Sequence, residues 1–397
     1  AVGVNQSLSI AGSRPLIIDA PGQVWYGTYG SGLFKINPQT NEVSQYLHNT
    51  GDPNSLSQNS INCLYEDRIG VIWIGTFGAG INIFDKYAHK FPLITHNPQD
   101  PNSLSENFIW SICESRDGSL WVGTNSGGLN HFDPANDTFT HYHHDPDDPS
   151  SLSAESVREI FQDIDGTIWI GTDGGGLCRY IPGTKSFTCY KSISGNPNSI
   201  SDNSVRVIYE DRSENLWVGT RNGLNKFDKD SRQFKRFLND PDDPGSLSHN
   251  FIYSSIIEDI EGNLWIGTYG GGLNKMNRYT ETFQSYTNNP DELSTISNNI
   301  VFSIHEENDS ILWVGTNDGL NRFNRKTGRF QRFGLSNGIP NDVVYGVLPD
   351  QYNNLWLSTN SGICRFNIST FSTANFDKSD GLQSNEFNGG AFFKGPS

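Results

Sequence analysis

A tryptophan that recurs every 48 residues sets the strongest constraint on how this chain can fold. Seven copies keep that spacing and an eighth follows after 43 residues: Trp25, Trp73, Trp121, Trp169, Trp217, Trp265, Trp313 and Trp356. Each lies in the same phrase, as in Leu120-Trp121-Val122-Gly123-Thr124. Eight copies of one unit predict a repeat array, in which neighbouring copies bury the faces that one copy alone would leave exposed.

One unit, the third copy, has the pattern of a four-stranded antiparallel meander. Short β-rich runs are separated by turns rich in Gly, Asp, Asn and Pro, and they cover residues 107–113, 120–124, 129–132 and 139–142. Four strands in a repeat of this length are typical of a β-propeller blade. The sequence therefore predicts an all-β fold, a single β-propeller of four-stranded antiparallel blades, with eight blades.

We expect the whole chain, 1–397, to form this one propeller. The predicted blades cover residues 8–49, 56–97, 104–145, 152–193, 200–240, 247–289, 296–334 and 339–378. Residues 381–397 resemble the first strand of a further copy, or a strand that closes the ring. Since the chain begins at Ala1, we expect it to be a processed or excised piece of a longer protein.

The charge balance limits the classes of partner. The chain has 28 basic and 44 acidic residues, a net charge of −16. This argues against binding to nucleic acid or to an anionic membrane surface, both of which need clustered Lys and Arg. No apolar run is long enough to span a bilayer, so we expect no direct membrane insertion by this segment. Nothing in the sequence indicates a cofactor.

The five cysteines lack the paired spacing of a metal site. Two interpretations are open: buried free thiols, or one disulfide. If Gly183-Thr184 turns a hairpin, Cys178 and Cys189 face each other across two strands, within reach of a disulfide.

Several positions are too regular to be functional sites. Thr follows each repeat tryptophan by three residues, and a Gly opens each third strand. An Asp precedes six of the tryptophans by six residues, with Ser115 and Glu307 in two other copies. We interpret these positions as scaffold that fixes turns and fills the space between blades.

The inter-blade loops, such as 145–153, are rich in Asp and Pro. Calcium binding is one interpretation, but a calcium site needs six or more oxygen ligands and the EF-hand spacing is absent. Rigid turns are the other interpretation. We therefore predict no metal site.

Two positions do vary from copy to copy. The first starts the loop between the second and third strands and holds Tyr29, Phe77, Asn125, Asp173, Arg221, Tyr269, Asn317 and Asn360. The second lies in the first strand, which would line the central channel, and holds Arg14, Asn62, Trp110, Arg158, Arg206, Tyr253, Phe302 and Tyr345. The sixth copy has one extra residue, which leaves the register of Tyr253 open.

Arginines and aromatic rings around one channel mouth suit a small ligand. Aromatic faces pack on a sugar ring, and Arg holds a carboxylate or sulfate with paired hydrogen bonds. The alternative is structural: the arginines pair with acidic residues of the chain and the aromatic rings fill the channel. No catalytic set can be assigned.

The repeated phrases Ser-Leu-Ser-x-Asn, Glu-Asp, Leu-Trp-Val-Gly-Thr and Gly-Leu-Asn-x-Phe-Asp closely resemble the two-component regulator propeller family. The resemblance covers residues 8–393, and residues 381–390 resemble the stretch where members run on into a last repeat and an immunoglobulin-like domain. It implies the extracytoplasmic, periplasmic sensor region of a bacterial hybrid histidine kinase. Members often carry two seven-bladed propellers, from which eight copies depart.

The resemblance implies a non-enzymatic sensor that binds an oligosaccharide or another small extracellular ligand and acts on downstream domains of the same polypeptide. One alternative is an interaction scaffold, as in members attached to secretion machinery. Another is a polysaccharide-active enzyme, because eight-bladed propellers include polysaccharide lyases. Arg14, Arg158 and Arg206 also faintly match a sialidase arginine triad.

Overall fold

The computed structural model describes residues 15–19, 22–50, 55–66, 72–84, 94–380, 382 and 384–387. These residues belong to two compact units, Ala1–Pro92 and Leu93–Ser397. Almost all regular structure in the described part is β-strand, with two short 3-10 helices at Leu335–Asn337 and Lys378–Asp380. Among the described residues, no helix has the length and apolar character needed to cross a membrane.

The first unit contains two antiparallel sheets, in which each strand pairs with the next along the chain. The four-stranded sheet comprises β1 (Leu16–Ile18), β2 (Val24–Gly27), β3 (Leu33–Ile36) and β4 (Val43–Tyr46). The described part of the second sheet comprises β5 (Ile61–Glu66), β6 (Ile72–Thr76) and β7 (Ile81–Phe84).

The second unit contains six four-stranded sheets with the same consecutive order. The first sheet comprises β8 (Ile109–Glu114), β9 (Leu120–Thr124), β10 (Leu129–Asp133) and β11 (Thr138–Tyr142). The second comprises β12 (Val157–Gln162), β13 (Ile168–Thr172), β14 (Leu177–Ile181) and β15 (Ser186–Tyr190). The third comprises β16 (Val205–Glu210), β17 (Leu216–Thr220), β18 (Gly223–Asp228) and β19 (Gln233–Phe237). The fourth sheet comprises β20 (Ile252–Glu258), β21 (Leu264–Thr268), β22 (Leu273–Asn277) and β23 (Thr282–Tyr286). The fifth comprises β24 (Val301–Asn308), β25 (Ile311–Thr316), β26 (Gly319–Asn324) and β27 (Arg329–Phe333). The sixth comprises β28 (Val344–Pro349), β29 (Asn354–Thr359), β30 (Gly362–Asn367) and β31 (Thr373–Phe376).

These sheets confirm the predicted fold class, an all-β repeat protein built from antiparallel propeller blades. Within the second unit, the first strands β8, β12, β16, β20, β24 and β28 lie side by side in that order. We call them the wall of first strands. That residues 1–397 form one propeller with the predicted blade boundaries stays a prediction. In the tail, the carbonyl of Asn385 accepts a hydrogen bond from the backbone N–H of Gly362 at 2.6 Å.

The repeat tryptophans form the core between sheets, as predicted. Trp25, Trp265 and Trp313 are at most 1% exposed. An aromatic ring from the third strand of the following sheet covers most of them, for example Phe323 at 5.6 Å from Trp265. Trp73, in the last sheet of the first unit, differs and is 39% exposed.

The scaffold positions bond as predicted. The residue six before the tryptophan accepts the indole N–H, for example Asp163 from Trp169 at 2.9 Å and Ser115 from Trp121 at 3.0 Å. The threonine hydroxyl bonds to the carbonyl of the glycine that opens the third strand, as Thr124 does to Gly128 at 2.9 Å. Gly128 has φ +73°, and an added Cβ would lie 2.3 Å from a backbone oxygen, so glycine is required there.

The inter-blade loops fold as turns. The backbone N–H of Asp148 donates to the carbonyl of Asp145, and the Asp148 carboxylate accepts from the N–H of Ser150. The aspartates thus satisfy the loop backbone, as predicted. In the described ranges, no group of three or more His, Cys, Asp or Glu side chains could hold a metal ion.

A repeated cation joins adjacent sheets in the second unit. Arg325 contacts Asp259 of the preceding sheet at 3.0 Å and Glu306 of its own sheet at 2.9 Å. Lys229 and Arg278 make the corresponding pairs with the two preceding tryptophan-binding aspartates. Each such cation therefore fixes one sheet against its neighbour.

Cys178 and Cys189 form a disulfide, which confirms the second interpretation of the cysteines for this pair. The two residues are directly opposed in the β14–β15 ladder, on either side of the Gly183-Thr184 turn. The described free cysteines are Cys63, which is exposed, and Cys113 and Cys364, which are buried.

Replacing both Cys178 and Cys189 by serine is expected to lower the free energy of unfolding by about 2–3 kcal/mol. The bridge closes a loop across 11 residues of sequence, and such a loop restricts the unfolded chain by roughly this amount. Denaturant unfolding with and without a reductant measures the effect, with Cys63→Ser as the control. A reductant that destabilises the double variant as much as the wild type would assign the effect to another group.

Candidate functional site

The first-strand position selected from the sequence lies on a β-bulge. In β12, Val157 pairs with Thr172 and Glu159 pairs with Gly171, so Arg158 between them has no partner in the ladder. The same register shift isolates four other candidates of the second unit: Trp110, Arg206, Phe302 and Tyr345. A bulge redirects a side chain away from the regular pleat, and here it does so in successive copies.

The sixth copy absorbs its extra residue in a longer irregularity. Ile252 pairs with Thr268 and the next paired residue is Ile256, so Tyr253 lies within the bulged segment. This settles the register that the sequence left open. Tyr253 occupies the same place in the wall of first strands as its counterparts.

Asp173 begins the loop after β13 and holds three arginines together. Its Oδ2 atom lies 2.9 Å from Arg158, 3.1 Å from Arg206 and 3.7 Å from Arg221. Arg158 belongs to β12, Arg206 to β16, and Arg221 begins the loop after β17. We call Arg158, Arg206 and Arg221 the arginine cluster. The two variable positions therefore converge at the junction of two sheets.

The alternative interpretation, in which the arginines pair with acidic residues of the chain, applies in part, because all three contact Asp173. One carboxylate faces three guanidinium groups, however, and the Nε atoms of Arg158 and Arg206 are buried without a hydrogen-bond partner. The Arg206 side chain is 7% exposed, whereas that of Arg221 is 53% exposed. The cluster thus combines buried cations with one that solvent reaches.

The cluster stays charged at neutral pH. Burial raises the pKa of Asp173, but the hydrogen bond from the Ser204 hydroxyl and the arginine charges outweigh it and hold the pKa below its usual value. Burial also lowers the pKa of Arg206 to about 10, which leaves the guanidinium protonated. The four groups therefore carry three positive charges and one negative charge.

An aromatic platform adjoins the cluster. The Arg158 guanidinium lies 3.7 Å from the centre of the Trp110 ring, which is a cation–π contact. The Trp110 indole N–H donates to Asn125 at 3.1 Å, so the loop position of the same sheet orients the ring. Arg158 bonds to Asp173 in the equivalent way.

Four further candidates form a row of rings along the wall. Tyr253 lies 5.6 Å from Tyr269 and 5.2 Å from Phe302. Phe302 in turn lies 4.9 Å from Tyr345. Burial raises the pKa of Tyr253, although Arg206 opposes this shift, so the hydroxyl stays protonated.

A cavity opens beside the arginine cluster. Its volume is about 580 Å³, and its lining consists of Asp173, Gly174, Ser192, Ser194, Asp202, Asn203, Ser204 and Arg221. Hydroxyl, amide and charged groups therefore face this space. Such a lining suits a polar ligand with many hydrogen-bonding groups.

Other candidates are not brought into this site. Tyr29 and Phe77 belong to the first unit, where their rings lie 6.0 Å apart and are exposed. Within residues 94–380, no ring contact, ion pair or hydrogen bond joins Asn317 or Asn360 to the other candidates. The two remaining candidates also belong to the first unit. Asn62 is exposed on β5, and Arg14 lies outside the described residues.

Sequence reasoning missed residues just before the first strands. Phe251 lies 5.8 Å from the Arg206 guanidinium and 5.9 Å from that of Arg221. Ser204 forms an isolated bridge with Asp173 in addition to its hydroxyl bond. Both precede the strand by one residue, a position that also varies between copies and could have been included.

These features define a repeat protein of the β-propeller class with one polar, arginine-rich site between adjacent sheets. Six segments of the chain match the family described as Two component regulator propeller, at residues 55–78, 103–126, 151–174, 199–222, 246–270 and 338–361. These segments fall in six of the eight repeat copies. No curated protein matches it.

Solved structures of two Bacteroides proteins resemble the chain. The extracellular domain of BT3049 from B. thetaiotaomicron, described as a hybrid two component system, is 27% identical with a TM-score of 0.64. The match covers 96% of this chain and 54% of that one. The extracellular domain of BT4673 from the same organism is 27% identical with a TM-score of 0.58, over 91% of this chain and 48% of that one. The chain thus spans about half the length of these relatives.

A more distant structure shares only the fold. PorZ, a surface component of the type-IX secretion system of Porphyromonas gingivalis, is 14% identical with a TM-score of 0.53. The match covers 94% of this chain and 58% of that one.

Proposed function

We propose that the chain is the extracytoplasmic sensor propeller of a bacterial signalling protein and binds an oligosaccharide or another small ligand at the arginine cluster. One observation carries the proposal: three arginines converge on the Asp173 carboxylate, Trp110 stacks on Arg158, and a polar cavity of about 580 Å³ opens at Asp173 and Arg221. Nothing in the scaffold positions requires this convergence. The repeat holds those positions constant, whereas the converging residues differ from copy to copy.

Two further observations support the location. The structural relatives are extracellular domains of signalling proteins. The disulfide between Cys178 and Cys189 suits an oxidising compartment such as the periplasm.

The sensing mechanism would be capture of the ligand by the wall of first strands and its loops. Binding would then bias the orientation of domains that follow in the same polypeptide. A ligand shifts such an equilibrium only by the difference in its affinity for the two states. The loops are suited to report binding because Asp173 and Arg221 come from two different sheets.

A non-enzymatic role is part of the proposal. A sialidase-type site would use an ionised tyrosine near the arginines, yet burial raises the pKa of Tyr253, the tyrosine beside Arg206. Its hydroxyl is therefore a poor nucleophile at neutral pH.

Trp110→Ala is expected to weaken ligand binding about tenfold, because it removes the cation–π contact that holds the Arg158 guanidinium beside Asp173. The test is calorimetric titration of the purified chain with a panel of tri- to hexasaccharides, combined with chromatography of the sugars after incubation. Tyr279→Ala is the matched control, because this ring is 97% exposed in a turn of another sheet.

The outcomes separate the functions. Saturable binding without breakdown, weakened by Trp110→Ala alone, supports the sensor. Breakdown of a sugar would make the chain an enzyme. Failure of every sugar to bind would favour an interaction scaffold and overturn the proposal.

A further inference from the structure

We propose that the ligand carries an acidic group, a carboxylate or sulfate, and that Asp173 occupies the place of this group until the ligand displaces it. The inference rests on the proposed function and deepens it, because it names the chemical class that this site selects. It makes the Asp173 carboxylate an internal competitor.

The arginine cluster has an excess of positive charge. The whole chain has a net charge of −16, yet three guanidinium groups meet here within 3.7 Å of one carboxylate oxygen. Asp202 also lines the cavity, but its carboxylate accepts the backbone N–H of Ser204. With both aspartates counted, the site keeps one excess positive charge, and an anion is the ligand that compensates it.

The arginines of the cluster also have hydrogen-bond donors that no acceptor of the chain uses. The Nε atoms of Arg158 and Arg206 have no partner, and both side chains are largely buried. Asp173 presents a single oxygen to all three arginines, while its other oxygen accepts from Ser204. One carboxylate cannot satisfy three forked donors, whereas an acidic group with several free oxygens can pair with two guanidinium groups at once.

Displacement requires only a rotation of the Asp173 side chain. The loop backbone stays fixed, because the N–H groups of Asp173 and Gly174 donate to the carbonyls of Ser156 and Asn203. The side chain is 21% exposed and borders the cavity, so an entering ligand can reach it. Arg221, the exposed member of the cluster, lies where the anion would first bind.

Asp173→Asn separates this inference from a purely structural role. Asparagine keeps an oxygen that can accept from Arg158, and Asn125 plays this part toward Trp110 in the preceding sheet. The substitution removes the competing charge, so we expect it to raise affinity for an acidic ligand several-fold. Arg221→Gln should lower that affinity about tenfold, because it removes one charge-assisted pair.

The probes are matched pairs of sugars with one backbone. Galacturonate tri- to hexamers are compared with their methyl esters, and heparin-derived tetrasaccharides with their desulfated forms, by calorimetric titration. Arg179→Gln is the control variant, because Arg179 is an exposed arginine on β14 of the same sheet. Thermal unfolding of each variant confirms that it folds.

We expect acidic members to bind at least tenfold more tightly than neutral partners, and the two pairs to separate carboxylate from sulfate. Equal or tighter binding of the neutral partners would overturn the acidic class and leave the sensor intact. Weaker acidic binding by a folded Asp173→Asn variant would overturn the competitor role. Failure of all probes and of the wider sugar panel would instead overturn the proposed function.

Discussion

Asp259→Asn is expected to lower the free energy of unfolding by about 3–5 kcal/mol, the usual cost of removing one partner of a buried ion pair. Asp259 is fully buried and accepts the Trp265 indole N–H at 2.8 Å. It also accepts the backbone N–H groups of its own turn, including that of Asn263 at 2.9 Å. Arg325 of the next sheet contacts Oδ2, the oxygen that also accepts the indole N–H, at 3.0 Å.

The asparagine side chain can keep only one acceptor oxygen. If the amide oxygen stays at the indole, it also keeps Arg325 and the turn loses its acceptor. If the amide oxygen faces the turn, the indole loses its acceptor and an amide N–H faces the Arg325 guanidinium. Arg325 retains Glu306 at 2.9 Å, but its side chain is 8% exposed and water replaces the lost carboxylate poorly. One residue thus joins the core tryptophan, the turn and the contact between sheets.

Asp350→Asn provides the matched control. Asp350 accepts the Trp356 indole N–H at 3.1 Å and the backbone N–H of Asn354, but no cation of another sheet pairs with it in the described ranges. We expect this variant to lower the free energy of unfolding by about 1–2 kcal/mol, since only hydrogen bonds are lost. Denaturant unfolding monitored by tryptophan fluorescence measures both. Equal losses at the two positions would mean that the cation contributes nothing.

The periodicity of the tryptophans predicted much of this scaffold. Strands of the third copy fall within two residues of their predicted bounds, because alternating β-rich runs and Gly or Asp turns determine them locally. The Asp and Thr positions could be assigned to turns for the same reason. The cation that joins two sheets could not, since Arg325 and Asp259 lie far apart in sequence.

The site was predictable only in part. A fixed distance from Trp169 and Trp217 placed Asp173 and Arg221 at loop starts, and the first strand supplied Arg158 and Arg206. That Asp173 gathers all three arginines depends on the bulges, which arise when adjacent strands pair and leave no sequence signal of their own. Fixed spacing likewise could not exclude Asn317 and Asn360, because whether a loop side chain meets the wall depends on its neighbours.

A second large effect concerns Glu159, the residue after the bulged Arg158. It lies opposite Gly171, where other copies place the smaller Ser111, Val207 and Ser303. No hydrogen bond or ion pair to its carboxyl is found within residues 94–380. The residue retains partial solvent contact, yet protein surrounds the carboxyl closely, and this burial raises its pKa to about 8.

The direction of the pH effect follows from that shift. The usual pKa of the group is 4.5, so the unfolded chain loses this proton above about pH 4.5 while the folded chain keeps it up to about pH 8. Between these values the folded state binds more protons than the unfolded state, and stability falls as the pH rises. The contribution of Glu159 is therefore least favourable above pH 8.

Glu159→Gln is expected to raise the free energy of unfolding by about 1–3 kcal/mol at pH 8 and to leave it unchanged near pH 4.5. The amide has the size of the protonated carboxyl and never ionises, so the variant removes the cost of holding a proton or a buried charge. Denaturant unfolding at several pH values between these limits measures the difference. Glu292→Gln, at an exposed loop position, removes the same charge and should give a profile parallel to that of the wild type. If the Glu159→Gln profile also ran parallel to the wild type, the carboxyl would have to be ionised in the folded protein, and the surrounding strands would have to stabilise that charge.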